Sequence, residues 1–448
     1  MRKKSVSDNI EVLDFDDDNH LEKKHRRVKK GKLVLLIVSL LLISGAVTGG
    51  LIYKNNLDKK RKAEEEERQR VLTVKEITSH YGNYVKVTKD ADIYDDKMNV
   101  IGKIYQDEEI ALDEIEEITD KTKYFNIHDI GQIKYEDVES IEKMSSYSDR
   151  YKNYLPFNKN VVLKGGYTLY TEDGKKAYSF TKGSEYPILI DDYDGKYYVE
   201  YNNRLMYVLK EDVEKTVSHN NTTKKNAAKV TTLCYHRIYD TKDKCDDVSI
   251  CKKKSAFDQE MKYLKDNHYF TFTMEEMYLY LTKKLQVEKA VVITLDDGWL
   301  VKSAIDVLEK YDLHGTSFLK TKIWDDLSGF KSDNLELQSH THNMHTPGVC
   351  KKEASYQQGG GILCLSEDKV LDDLKTSREK LNGAIALAYP FYDYNSRAIK
   401  LVKKAGFKLA FIGAAGVKGK SSPGIDVYKI PRMTIWDTTT FSKWKSYL

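Results

Sequence analysis

Three short stretches of this chain carry residue types that could do chemistry together. The first is Val291-Val292-Ile293-Thr294-Leu295-Asp296-Asp297-Gly298, an apolar and β-branched run that ends in two adjacent carboxylates and a glycine. Such a run reads as a buried strand with the acids at its carboxyl end, where parallel α/β sheets place their chemistry. The second is Leu335-Glu336-Leu337-Gln338-Ser339-His340-Thr341-His342-Asn343-Met344-His345, a strand-like run that ends in three histidines. One aspartate with two histidines suits a catalytic divalent metal and leaves coordination positions open for water and substrate. The third is Val230-Thr231-Thr232-Leu233-Cys234-Tyr235-His236, which also closes a β-rich run with a histidine. An Asp-Asp-Gly turn alone is ordinary, but together with the histidine cluster the metal reading is the stronger one.

Thr294-Leu295-Asp296-Asp297-Gly298, followed by Ser339-His340-Thr341 and His345, resembles the polysaccharide deacetylases of carbohydrate esterase family 4. Ala388-Tyr389-Pro390-Phe391-Tyr392 resembles the third motif of that family, and the resemblance covers residues 230–448 only. It implies Asp296 as general base and Asp297, His340 and His345 as metal ligands. Zinc is the first expectation, and cobalt, nickel or manganese suit the same donors. The resemblance also implies that the backbone N–H of Phe391 stabilises an oxyanion. The His340 to His345 spacing is one residue wider than the usual one, as in the branch that acts on poly-N-acetylglucosamine; His342 is then a loop histidine.

No histidine follows His345, so a general acid must come from His236, His268 or His314. His268 and His314 read as turn residues. His236 ends a strand and resembles the Tyr-His of the permuted, poly-N-acetylglucosamine branch, so it is assigned as the acid. The third motif lacks the arginine that normally orients the base. Arg432, in Ile430-Pro431-Arg432-Met433, is the candidate for that role. Phe391 and Tyr392 stand where the family usually has tyrosine and glycine.

Around these stretches, strand and helix patterns alternate. Helices are expected over 257–267, 274–284, 300–311, 369–381 and 395–405, and strands over 315–319, 384–389 and 409–412. Alternation of this kind predicts a mainly parallel sheet, here a distorted (β/α) barrel over 230–448. The fold class is therefore α/β in its carboxyl-terminal half, preceded by other material.

At 448 residues the chain is long enough for two to four domains. Residues 1–32 are polar and expected to be disordered. Residues 33–53 form an uncharged run of membrane-spanning length, and a cleaved signal peptide is the weaker alternative. The denser basic group lies before it, which predicts a cytoplasmic amino terminus and an extracellular remainder. Residues 54–79 read as a charged helical stalk. Residues 80–146 and 155–217 are two degenerate repeats, each closing on Glu-Asp-Val (Glu136-Asp137-Val138 and Glu211-Asp212-Val213). Their short alternating runs resemble small all-β, SH3-like modules, which implies either wall-polymer binders or spacers. Residues 218–229 form a polar linker.

Lys and Arg number 73 against 69 Asp and Glu, a balance that argues against a dedicated nucleic-acid binder. All five cysteines follow the uncharged run. Cys245 with Cys251, and Cys350 with Cys364, are expected as two loop disulfides, with Cys234 buried in its strand. Free thiols or cross-pairing remain open at this point. No protein partner is evident.

The resemblance thus implies a membrane-anchored, extracytoplasmic, metal-dependent N-deacetylase of an N-acetylglucosamine polymer, either cell wall or exopolysaccharide. The alternatives are an inactive wall-binding protein and an O-deacetylase of an acetylated polysaccharide.

Overall fold

The computed structural model describes residues 23–112, 124–127, 130–145, 147–240, 245, 247, 249–353, 358–413 and 417–448. An amino-terminal helix and the chain from Gly82 onward form two separate units.

The helix is continuous from Lys23 to His80. It therefore starts within the segment expected to be disordered; residues 1–22 of that tail lie outside the described ones. Lys60–Glu64 and Lys62–Glu66 pairs, each at 3.9 Å and four residues apart, support its charged half. Among the described residues no helix is long and apolar enough to cross a membrane. The polar breaks in the uncharged run turn inward: Ser39 Oγ donates to Leu36 O and Thr48 Oγ1 to Gly45 O.

Within the second unit, the two repeats fold as two equivalent β modules. Each ends in a three-residue 3₁₀ turn, Tyr135–Asp137 or Lys210–Asp212, that leads into a last strand, Val138–Ile141 or Val213–Ser218. The two modules do not form separate sheets throughout. Strand Lys176–Phe180 of the second pairs antiparallel with Val100–Ile104 of the first, so nine strands form one continuous sheet. The junction needs Gly102, because a Cβ there would collide with Ser179 O.

The carboxyl-terminal domain is a nearly closed, barrel-like parallel sheet. Its order is Val230–Tyr235, Ala290–Asp296, Gly315–Leu319, Leu335–Ser339, Ala386–Ala388, Leu409–Ile412, Ile430–Pro431. The chain then passes Arg432 and returns Met433–Thr434 to pair parallel with Val230–Tyr235. That return bridges the first and last strands across Arg432. Every residue of Ala290–Asp296 and of Gly315–Leu319 is buried, as expected for strands covered on both faces. Helices Lys254–Asp266, Val301–Tyr311, Glu367–Lys380 and Ser396–Lys404 pack outside, with Met261, Leu264, Leu308, Leu374 and Leu401 in the core.

The second β module docks on the amino ends of these strands. Leu155 N donates to Gln286 O at 2.8 Å, and Asp191 N to Lys284 O at 2.9 Å, just before the central strand begins. Tyr151, Leu189, Ile190 and Leu205 share a core with Phe270, Met277 and Leu285. The 218–229 linker is pinned as well: Asn221 Nδ2 donates to Phe157 O and to Asn160 Oδ1, each at 2.7 Å. With the module at the amino ends, the carboxyl ends stay clear for chemistry.

Candidate active site

Side chains at the carboxyl ends of the strands converge on one cavity. Asp296 is the last residue of the central strand, and Asp297 turns out of it with φ 72°. A left-handed aspartate is strained, and two contacts hold it: Asp297 N donates to Phe318 O at 3.0 Å, and Trp324 Nε1 donates to Asp297 O at 2.7 Å. Gly298 follows, also left-handed, where a Cβ would meet Leu319 and Trp324 at 2.7 Å. The Asp-Asp-Gly turn is thus set by backbone geometry as well as by chemistry.

Asp297, His340 and His345 offer one ligand atom each, all within 4.8 Å of one another. His340 Nδ1 donates to Ala388 O at 2.8 Å, which fixes the tautomer and leaves Nε2 with its lone pair toward the acids. His340 Nε2 lies 3.9 Å from Asp297 Oδ1, and His345 Nε2 lies 3.7 Å from it. Asp297 Oδ1 is buried and accepts no well-directed hydrogen bond, although Lys320 Nζ is 3.0 Å away. A buried carboxylate oxygen facing two imidazole nitrogens is a donor set that fits a divalent cation. Burial opposes ionisation of Asp297, but His340 and Lys320 hold its carboxyl below the usual range. Burial, with the neighbouring His340, pushes His345 down to about 3, so its ring is neutral and able to ligate.

His342 lies apart from this group. Its Nδ1 is 2.9 Å from Thr321 Oγ1, and its backbone N–H is capped by Asp373. The same carboxylate takes the N–H of Asn343, and so braces the loop between the two candidate ligand histidines.

Asp296 is gripped by Arg432. Nη1 donates to Oδ1 and Nη2 to Oδ2, both at 2.7 Å, with Arg432 at 0% and Asp296 at 2% exposure. The guanidinium lies among the rings of Phe318, Phe411 and Tyr392, at 5.4, 5.9 and 5.4 Å. Burial works to raise the Asp296 carboxyl, but the charge of Arg432, helped by His340 and His236, holds it well below the usual carboxylate range.

His236 follows Val230–Tyr235, and a ring nitrogen of it lies within 4.8 Å of both a carboxylate oxygen of Asp296 and the thiol of Cys234. Its Nδ1 is buried without a hydrogen-bond partner, and burial pulls its pKa down. His268 and His314 are elsewhere: His268 turns before Phe270–Thr271, and His314 precedes Gly315–Leu319, at the amino ends of the strands. Phe391 has φ 56°, and its ring centroid is 4.3 Å from that of His345. Its neighbour Tyr392, also left-handed, hydrogen-bonds Thr434 Oγ1 at 2.7 Å on the returning strand.

The structure pairs Cys245 with Cys251 and Cys350 with Cys364, and leaves Cys234 free and buried. The second bridge ties down the loop after His345. There the N–H groups of Gly359 and Gly360 both donate to Asp393 Oδ2, at 2.8 and 3.2 Å.

Lys320, Asp373 and Asp393 were not singled out from sequence. Lys320 follows a strand directly, the placement shared by Asp297, His340 and His236, so that rule could have found it. Nothing local marks Asp373, which lies on a helix exterior to the sheet.

A strand-end Asp and His cluster at the carboxyl face of a nearly closed parallel sheet is a donor set suited to a divalent cation. Residues 283–410 match the family model "Polysaccharide deacetylase". The YxkH protein of Bacillus subtilis (strain 168) is 26% identical over 226 residues, covering 49% of this chain and 76% of that protein. The poly-beta-1,6-N-acetyl-D-glucosamine N-deacetylase of Staphylococcus aureus (strain MRSA252) is 26% identical over 206 residues, 41% of this chain and 67% of that one. Among solved structures, the Streptococcus pyogenes deacetylase PplD in complex with acetate is similar, with 22% identity and a TM-score of 0.40. It aligns over 50% of this chain and 99% of its own. IcaB from Ammonifex degensii gives 20% identity and a TM-score of 0.41, over 50% and 99% of the two chains.

Proposed function

We propose that this chain is a metal-dependent N-deacetylase that removes acetyl groups from N-acetylglucosamine units of a cell-wall or extracellular polysaccharide. The observation that carries the reading is the Asp297, His340 and His345 cluster beside an Asp296 locked by Arg432, in a chain that matches the polysaccharide deacetylase family model. Asp297, His340 and His345 would hold the cation, with zinc the first choice and cobalt, nickel or manganese also suited. When bound, such a cation polarises the acetamide carbonyl and acidifies a water.

The chain's own residues do the rest. Asp296, ionised and oriented by two hydrogen bonds, accepts a proton from the attacking water. The backbone N–H of Phe391, whose ring packs against that of His345, would stabilise the developing oxyanion. His236 gives a proton to the departing sugar amine, a poor leaving group otherwise. Its pKa, pulled down by burial, makes it a strong donor once protonated. Trp299, exposed next to the Asp-Asp-Gly turn and edge-on to Trp324, offers a ring face to a sugar.

The two β modules are read as SH3-like, either wall-polymer binders or spacers. A single membrane anchor with the catalytic domain outside the cell rests on the sequence alone, the uncharged run at residues 33–53 behind a basic segment.

The test is acetate release from purified peptidoglycan, from a β-1,6 N-acetylglucosamine polymer and from O-acetylated xylan, by metal-stripped and metal-restored protein. Metal-restored protein is expected to release acetate from one of the two N-acetylglucosamine polymers. Release only from O-acetylated xylan, or from none, would overturn the N-deacetylase reading.

A further inference from the structure

Two cavities open along the seams of the second β module. One, of about 330 Å³, lies between the modules; the other, of about 270 Å³, lies between the second module and the barrel. They share Ser148, Glu172 and Leu205, so they form one groove with Glu172 at its middle. The groove follows the amino ends of the barrel strands and is separate from the active site. It has the size of a ligand site rather than of a packing defect.

Its lining combines tyrosine rings with carboxylates. Tyr154, Tyr193 and Tyr198 are half-buried against it, and Tyr147 covers Arg204 at 3.6 Å. Tyrosine offers a flat apolar face and a hydroxyl, the pair of features that a sugar ring needs. The charges are uneven: Asp107, Glu108, Glu172, Asp173, Glu275 and Glu276 face only Arg150, Lys175, Lys176 and Arg204. Five of those acids already have cations. Glu108 pairs with Arg204 and Glu276 with Arg150, while Asp107, Asp173 and Glu275 pair with Lys86, Lys175 and Lys408.

Glu172 has none within ion-pair distance among the described residues. It sits in the turn between Tyr167–Thr171 and Lys176–Phe180, presented where the two cavities meet. Its side chain is solvent-exposed at the rim of the groove, where partial desolvation raises its carboxyl; Arg204 opposes this, while Glu276 and Asp173 add to it. A cation placed beside Glu172 would relieve that like-charge crowding.

We propose that this groove is a second saccharide site, taking amino-sugar units whose free ammonium pairs with Glu172 while their rings stack on the tyrosines. The inference rests on the N-deacetylase reading, because free amines are what that reaction leaves on its polymer. The groove would then hold stretches of polymer already processed, at the end of the barrel away from the chemistry.

The experiment uses the full chain carrying Asp297→Ala, so that no turnover occurs, with calorimetric titration of a β-1,6 glucosamine tetramer and of its fully N-acetylated counterpart. The glucosamine tetramer is expected to bind, and more weakly as salt rises. Adding Glu172→Gln, an isosteric change at a side chain with no ion-pair partner among the described residues, should weaken it by about threefold to fivefold, the scale of an exposed ion pair. Unchanged affinity for the glucosamine tetramer in Glu172→Gln, or an equal loss of affinity for the acetylated tetramer in that variant, would overturn the proposal. The amine is supplied ready-made, so failure here and failure of the N-deacetylase reading appear in different measurements.

Discussion

Replacing Arg432 by glutamine separates what the buried pair does for stability from what it does for the reaction. The guanidinium makes two 2.7 Å bonds to Asp296, and both groups are out of water. Removing one member leaves an uncompensated carboxylate in the barrel, which costs about 3–5 kcal/mol. That is a large part of a total stability of roughly 5–15 kcal/mol. In the parent, the Asp296 carboxyl lies below its unfolded value. Its contribution is therefore complete above an unfolded pKa of about 3.9 and is lost as pH falls through the folded one. In Arg432→Gln, burial is no longer opposed, the carboxyl rises, and both the loss of stability and the acid limb of activity move to higher pH. Turnover should fall by about 10²–10⁴-fold, because the base is neither oriented nor fully ionised. Urea unfolding across pH and the pH–rate profile of acetate release measure these effects. The double variant Arg432→Met/Asp296→Asn has no stranded charge, so it should recover stability without recovering turnover. A single Arg432→Gln variant with parental stability and an unmoved acid limb would refute the reasoning.

Two other outcomes follow from the same geometry. Asp297→Ala, His340→Ala and His345→Ala should each lose bound metal by mass spectrometry, whereas His342→Ala, whose ring faces Thr321, should keep it; full occupancy in His345→Ala would redraw the ligand set. His236→Ala should retain metal yet lose about 10²–10⁴-fold in turnover, and near-parental turnover would show that the acid comes from another loop.

Much of this molecule is legible in its sequence. The run from Val291 to Asp296 is apolar without alternation because both faces of a parallel strand are covered, and period and composition record that directly. Carboxyl-end placement then follows for Asp296, Asp297, His340 and His236, since each stands where such a run stops. The repeats were visible as well, because each copy keeps its own turn and closing strand.

Other features depend on contacts between distant segments. Sequence can name Arg432 as an orienting group, but its grip on Asp296 exists only because the chain returns after Pro431 to pair with the first strand, 136 positions away from the carboxylate it holds. Asp373, which caps the loop of His342 and Asn343, lies on an outer helix with no local mark of that task. The joining of the two β modules into one sheet, and the docking of the second on the barrel, follow from edge-strand pairing and a shared apolar core. Local pattern specifies which face of an element is buried; which other element buries it is decided only when the whole chain is packed.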